Sequence, residues 1–167
     1  ELITQLIEHA NKKNILVLAD SQSSSQTGNI ARFKSVNLIT PTEREARISQ
    51  RDNQEGLVQL AMGLLEDSGC KNIFLKLGEE GVLLYVLDNN EYKTEQINAL
   101  NSNPLDTAGA GDSLLISSAL CMSSGATIWE TALIGSLAAA IQVSRVGNIP
   151  ITKAEIQSAI KSLYFSK

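Results

Sequence analysis

The run Ile15 to Ala19, closed by Asp20, is the feature that most limits what this chain can fold into. It is continuously apolar and lacks the polar alternation of a strand with one wet face. Such a run reads as a short strand buried on both faces, which is the habit of parallel sheets covered by helices. Val36 to Thr40 and Asn72 to Leu77 read as a second and third strand, Val82 to Leu87 as the next, and Glu91 to Ile97 as an edge strand. Helices are expected between them. Leu2, Leu6 and Ile7 recur at helical spacing before the stop Asn11-Lys12-Lys13-Asn14. Pro41 is expected to start a helix running to about Ile48. Asn53 is expected to cap a longer one whose inner face carries Leu57, Leu60, Ala61, Leu64 and Leu65. Residues 21–28 are polar and read as a loop, and Gly78-Glu79-Glu80-Gly81 reads as a turn. Three helices come near the end, over about 111–123, 127–144 and 152–164. Strand and helix alternate early and helices run together late, so the expectation is an α/β layer fold with a largely parallel sheet. No internal repeat or interdomain linker is visible, which makes 1–167 a single domain on this reading. Ligands bind such sheets beyond the carboxyl ends of the strands. The loops after Thr40, after Leu77 and before Gly109 should therefore converge.

Bulk properties exclude several classes of function. At 167 residues, 43% hydrophobic and 19% charged, the chain is globular in composition. A net charge of −4, with the basic residues scattered, argues against a nucleic-acid partner. No apolar run is long enough to span a bilayer, so no membrane partner is expected. Cys70 and Cys121 have no metal or redox spacing and fit reduced thiols in a cytoplasmic protein. With His9 as the single histidine, no histidine-based triad or multi-histidine metal site can be assembled.

The chemistry concentrates in Asp106-Thr107-Ala108-Gly109-Ala110-Gly111-Asp112, a glycine turn opening directly into an apolar helix. Two glycines allow close backbone approach to an anion, and the first helical amides and the helix dipole face it. Asp112 is electrostatically awkward for anion binding alone. A carboxylate beside a bound phosphate can instead take the proton of an attacking hydroxyl. The bland alternative is an ordinary glycine-started helix with an acidic first turn. A classical P-loop is excluded, because G-x-x-x-x-G-K-[ST] is absent. A dinucleotide fingerprint is excluded too, because Leu114 stands where its third glycine belongs.

The same seven residues resemble the D-T-x-G-A-G-D motif of the PfkB or ribokinase-like carbohydrate kinases. The resemblance covers nearly the whole chain and implies the C-terminal, nucleotide-binding half of such an enzyme, with the N-terminal half and lid absent. It implies Asp112 as general base and the amides of Gly109, Ala110 and Gly111 as an anion hole. Thr40-Pro41-Thr42-Glu43-Arg44-Glu45 is similar to the family's T-P-N-x-x-E. By resemblance Glu45 organises Mg2+ through water, with a solvated helix carboxylate as the plain alternative. Thr42 stands where the family usually has an asparagine near the ATP phosphates. Lys76-Leu77-Gly78-Glu79-Glu80-Gly81 resembles T-L-G-x-x-G, which assigns Lys76, Gly78 and Gly81 to ATP contacts alongside Gly111.

Residues 136–151 resemble the segment that closes over adenine. Ser136 is assigned there, and the small residues Ala138, Ala139 and Ala140 admit either a flat base or a neighbouring helix. The resemblance also implies K+ held by Asp106 and the carbonyls of Ala108, Gln142, Arg145 and Gly147. Ile151 replaces a serine-like ligand found in some members. Ile116 and Ser117 depart from the family's small residues and bear on packing.

As an activity, the resemblance implies ATP-dependent phosphoryl transfer to a hydroxyl of a sugar or sugar phosphate. The run at 144–148, with the two glycine motifs, looks most like the kinase part of ADP-heptose synthases, which act on a heptose 7-phosphate. Because the chain begins at Glu1 inside an amphipathic helix, the expectation is a fragment, inactive without its sugar-binding half and prone to self-association, as a homodimer or otherwise. The competing reading is a non-catalytic nucleotide-binding or interaction module on the same fold. A kinase of a nucleoside or vitamin precursor is a third.

Overall fold

The structure is a computed structural model that describes residues 1–21 and 29–165. The loop expected over 21–28 lies, from residue 22 on, outside the described residues. The chain divides into two compact units, Glu1–Gln96 and Ile97–Lys167.

The first unit is a layered sheet-and-helix structure. Its elements run α1 (Leu2–Lys12), β1 (Leu18–Ala19), β2 (Leu38–Ile39), α2 (Glu43–Gln50), α3 (Leu57–Ser68), β3 (Asn72–Lys76), β4 (Val82–Asp88) and β5 (Glu91–Ile97). The sheet order follows the chain, β1-β2-β3-β4-β5. Leu18 and Ala19 pair in parallel with Leu38 and Ile39, and Ile39 with Ile73, so β1 to β3 form the expected parallel part. β4 then returns antiparallel to β3 over five residue pairs.

The middle of the parallel part is fully buried, while Leu18 of β1 is only partly so. Leu38, Ile39, Ile73, Phe74 and Leu75 have no exposed surface. Of these, Ile39, Ile73 and Leu75 pack with Leu60, Ala61 and Leu64 on one face of α3, which is the helical stripe read from the sequence. Asn89 and Asn90, at φ 50° and 64°, make the two-residue turn between β4 and β5. Asparagine tolerates that left-handed backbone, and the turn matches the twist of the flanking strands. Tyr85 stacks on Tyr92 across the hairpin at 5.2 Å.

Three expected boundaries shift, each for a local reason. The ladder of β1 spans two residues, because Val17 pairs through its amide with the Asn37 side chain. Pro41 does not start α2. Its carbonyl accepts from Lys76 N at 2.8 Å and extends the sheet edge, leaving Thr42 as the helix cap. Asn53 does not cap α3. Asp52 accepts from the amides of Gln54 and Glu55 and holds an extra turn, so the helix starts after Gly56.

The second unit is helical: α4 (Ala110–Ser123), α5 (Ile128–Val143) and α6 (Lys153–Phe165). Helices α4 and α5 lie against one another where Gly135 meets α4. A Cβ at 135 would sit 2.7 Å from Ser118 Oγ and 3.3 Å from Leu114 O, so any side chain there makes α4 give way. A capping box between Thr127 and Glu130 starts α5.

Candidate functional site

In the first unit, the residues singled out from the sequence gather at the carboxyl ends of β1, β2 and β3. Thr42 caps α2. Glu45 Oε2 accepts from Thr42 N at 2.7 Å and Thr42 Oγ1 at 2.9 Å, while Glu45 N donates to Thr42 Oγ1 at 3.2 Å. Glu45 is 3% exposed, so it is neither a solvated carboxylate nor a free one. Its Oε1 takes no part in these bonds.

Asp20, immediately after β1, is the group that sequence reasoning passed over. Its Oδ2 lies 2.7 Å from Lys76 Nζ, and both side chains are about four-fifths buried. Burial pushes the Asp20 carboxyl above its ordinary value of 3.8. Lys76 works against that shift, and the nearby Glu45 carboxylate adds to it. The available signal was positional: an acid directly closing an apolar parallel strand. Past β3, Gly78 (φ 63°) and Gly81 (φ 94°) shape the turn, with Leu77 N donating to Gly81 O at 2.8 Å. A Cβ at Gly78 would meet nothing, so backbone conformation rather than space requires glycine there.

In the second unit the Asp106–Asp112 run forms the entry to α4. Gly109, at φ 78°, is the helix N-cap and has no side chain to cap the first amides. Ala110 N donates to Thr107 O at 3.3 Å. The amides of Gly111 and Asp112 have no partner among the described residues. Asp112 stands exposed in that first turn. An uncapped helix start is an anion site, and a carboxylate at its rim supplies a proton acceptor.

The turn is tied to the end of α5. Asp106 Oδ1 accepts from Ala108 N at 2.9 Å, and Oδ2 accepts from Gly147 N at 3.0 Å. These two amides hold the Asp106 carboxyl below its ordinary value of 3.8. Gln142 is 1% exposed and its Nε2 donates to Gly147 O at 2.9 Å and Ala108 O at 3.3 Å. Arg145 pairs with Glu155 at 2.8 Å and donates to Ile149 O at 2.7 Å. Ser136 lies buried in α5 with a hydroxyl that has no partner among the described residues.

The pfkB family carbohydrate kinase pattern matches residues 1–154. Bifunctional protein HldE from Sulfurimonas denitrificans is 28% identical over 170 residues, covering 99% of this chain and 34% of that protein. Ribokinase from Thermotoga maritima is 30% identical, with a TM-score of 0.75 over 93% of this chain and 52% of that one. Phosphofructokinase-2 from Escherichia coli, solved in complex with potassium, shares the fold at a TM-score of 0.78 and 21% identity, over 99% of this chain and 52% of that one.

The fold is that of ribokinase-like sugar kinases. The chain belongs to the pfkB family of carbohydrate kinases. It spans about a third of the length of the curated relative and half that of the solved structures.

Proposed function

We propose that this chain supplies the ATP site and catalytic base of an enzyme that phosphorylates a hydroxyl of a sugar or sugar phosphate. The observation that carries the reading is the uncapped start of α4, where open amides at Gly111 and Asp112 stand beside an exposed carboxylate. Asp112 accepts the proton of the attacking hydroxyl as the new P–O bond forms and the bond from the γ-phosphorus to the departing ADP breaks. The Gly109–Gly111 turn and the helix start stabilise negative charge on the transferring group, with Gly111 the open donor and Ala110 N partly committed to Thr107 O. The Lys76–Gly81 turn contacts ATP through its backbone, and Ser136 belongs to the helix beside the base.

Glu45 fits the task of holding Mg2+ through water, since it is fixed by its cap and keeps Oε1 out of those bonds. When bound, the metal neutralises phosphate charge. Lys76 keeps Asp20 oriented beside that carboxylate. A heptose 7-phosphate is the acceptor we favour, on the resemblance of the glycine motifs and of 144–148 to heptose kinases. Among the described residues no helix is long and apolar enough to cross a membrane. With both cysteines free, a reducing cytoplasmic setting fits the reading. Exposed Leu2 and Leu6 on α1, and Ile116 and Leu120 on α4, support either self-association or cover by further chain of the same enzyme.

One observation favours the second reading, a nucleotide-binding module without transfer chemistry. The Thr42 hydroxyl, at the position of the family's phosphate-side asparagine, is engaged by Glu45. Calorimetric titration of the chain with Mg-ATP, with NAD as control, tests the nucleotide site that both readings share. Asp112→Asn in the full-length enzyme separates them. Turnover should fall at least 1,000-fold, on the order of a lost general base, with ATP affinity retained. Unchanged turnover removes Asp112 from the mechanism, and an enzyme without turnover before mutation supports the module.

A further inference from the structure

The geometry points to the Gln142 side-chain amide as a built-in replacement for a monovalent cation. A potassium site here requires the carbonyl oxygens of Ala108 and Gly147 and an oxygen of Asp106 to converge on one ion, together with the carbonyls of Gln142 and Arg145. Two of those groups already converge on Gln142 Nε2, at 3.3 and 2.9 Å. A third is taken as well, because both Asp106 oxygens accept backbone amides, from Ala108 and Gly147. Three of the five groups are therefore already met by N–H groups, and Gln142 Nε2 occupies the point where the two carbonyls converge, so the set does not fit a resident cation.

The orientation of the amide is set by what surrounds it. Gln142 is 1% exposed, and its Oε1 is buried without a partner among the described residues. Turned the other way, Oε1 would face the two carbonyl oxygens with no proton between them, an arrangement that only a cation could hold together. With Nε2 inward, each of its two hydrogens meets one carbonyl. A neutral, covalently tethered donor thus locks the glycine turn to the α5 end. Leu105 N and Asp106 N, which donate to Val143 O at 2.7 and 3.4 Å, add to that lock. The position of Gly109 and the α4 amides is then set without potassium, so the site is independent of monovalent cations.

The test is thermal unfolding of the chain in potassium chloride and in tetramethylammonium chloride at equal ionic strength. Its readout involves no phosphoryl transfer, so it stands or falls separately from the kinase reading. The wild-type midpoint should be the same in the two salts. Gln142→Ala should unfold lower by about 3–8 °C in tetramethylammonium and recover in potassium, which can enter between the vacated carbonyls. A saturable potassium-specific rise for the wild-type chain overturns the inference, because Oε1 would then be a cation ligand. So does a Gln142→Ala chain that gains no more from potassium than from tetramethylammonium. If Gln142→Ala does not fold, Gln142→Ser, which also leaves the space between the two carbonyls open, takes its place in the same comparison.

Discussion

Lys76 Nζ lies 2.7 Å from Asp20 Oδ2, an ion pair that joins the end of β3 to the end of β1 across 56 residues of sequence. Both partners are largely buried, so neither charge has water to fall back on. Lys76→Met should leave the Asp20 carboxylate without its counter-charge. The expected loss is about 1.5–3 kcal/mol, read from the urea midpoint. Asp20→Asn in the same background should recover part of that loss, because the orphaned charge is then gone.

Glu45 closes the cap of α2, and substitution can separate that task from the magnesium role proposed for it. Glu45→Gln keeps an oxygen that can accept from Thr42, so the unfolding midpoint should stay within about 1 kcal/mol of wild type. It removes the charge that the proposed magnesium site relies on, so on that proposal Mg-ATP should bind about tenfold more weakly in calorimetry. Thr42→Val should do the opposite. It should lower stability by about 1 kcal/mol through the lost cap and leave the charge for magnesium in place.

Gly135 sets how closely α4 and α5 approach. Gly135→Ala asks Ser118 Oγ to swing away and Leu114 O to give a few tenths of an ångström. Gly135→Val cannot be met that way and should cost about 1–3 kcal/mol. Denaturant unfolding of both variants checks the order, alanine milder than valine.

Acid should loosen the second unit. Asp106, held down by the Ala108 and Gly147 amides, and Glu130 and Glu155, held down by the Thr127 and Thr152 amides, all have folded-state values below their ordinary 3.8 and 4.5. Their stabilisation is complete above those ordinary values and drains as pH falls through the lowered ones. Asp20 moves oppositely. Its raised value means that protonation favours the folded state, so its contribution is fullest below 3.8 and is lost as pH rises through the raised value. Midpoints measured from pH 7 down to pH 3 should therefore fall, and Asp106→Asn should flatten the fall.

The parts of the site that are legible in the sequence are those made by neighbours along the chain. The Gly109 turn and the turn at Gly78 and Gly81 each need only a few consecutive residues to acquire their shape, and the cap-and-return pair Thr42 and Glu45, equally local, is hidden by the expectation that Pro41 starts the helix. Dihedral preference and short-range hydrogen bonding act at that range. The stripe on α3 is legible for the same reason, since periodicity is local; the apolar run ending at Ala19 is only partly so, because its ladder is confined to Leu18–Ala19 and Ile15, expected to be buried, is 54% exposed. Boundaries were less so: Asp52 and Pro41 spend their polar groups on contacts that compete with helix initiation, and composition does not rank such competitors.

Only tertiary structure decided the partners that lie far apart in sequence. Nothing near Asp20 marks Lys76 as its counter-ion, and nothing near Gln142 marks the Ala108 carbonyl, 34 residues away, as its acceptor. An aspartate, a lysine and a glutamine are each satisfied by water in an open chain. Burial removes the water, and the pairings that remain are chosen by which backbone segments the packed strands and helices bring within hydrogen-bonding distance.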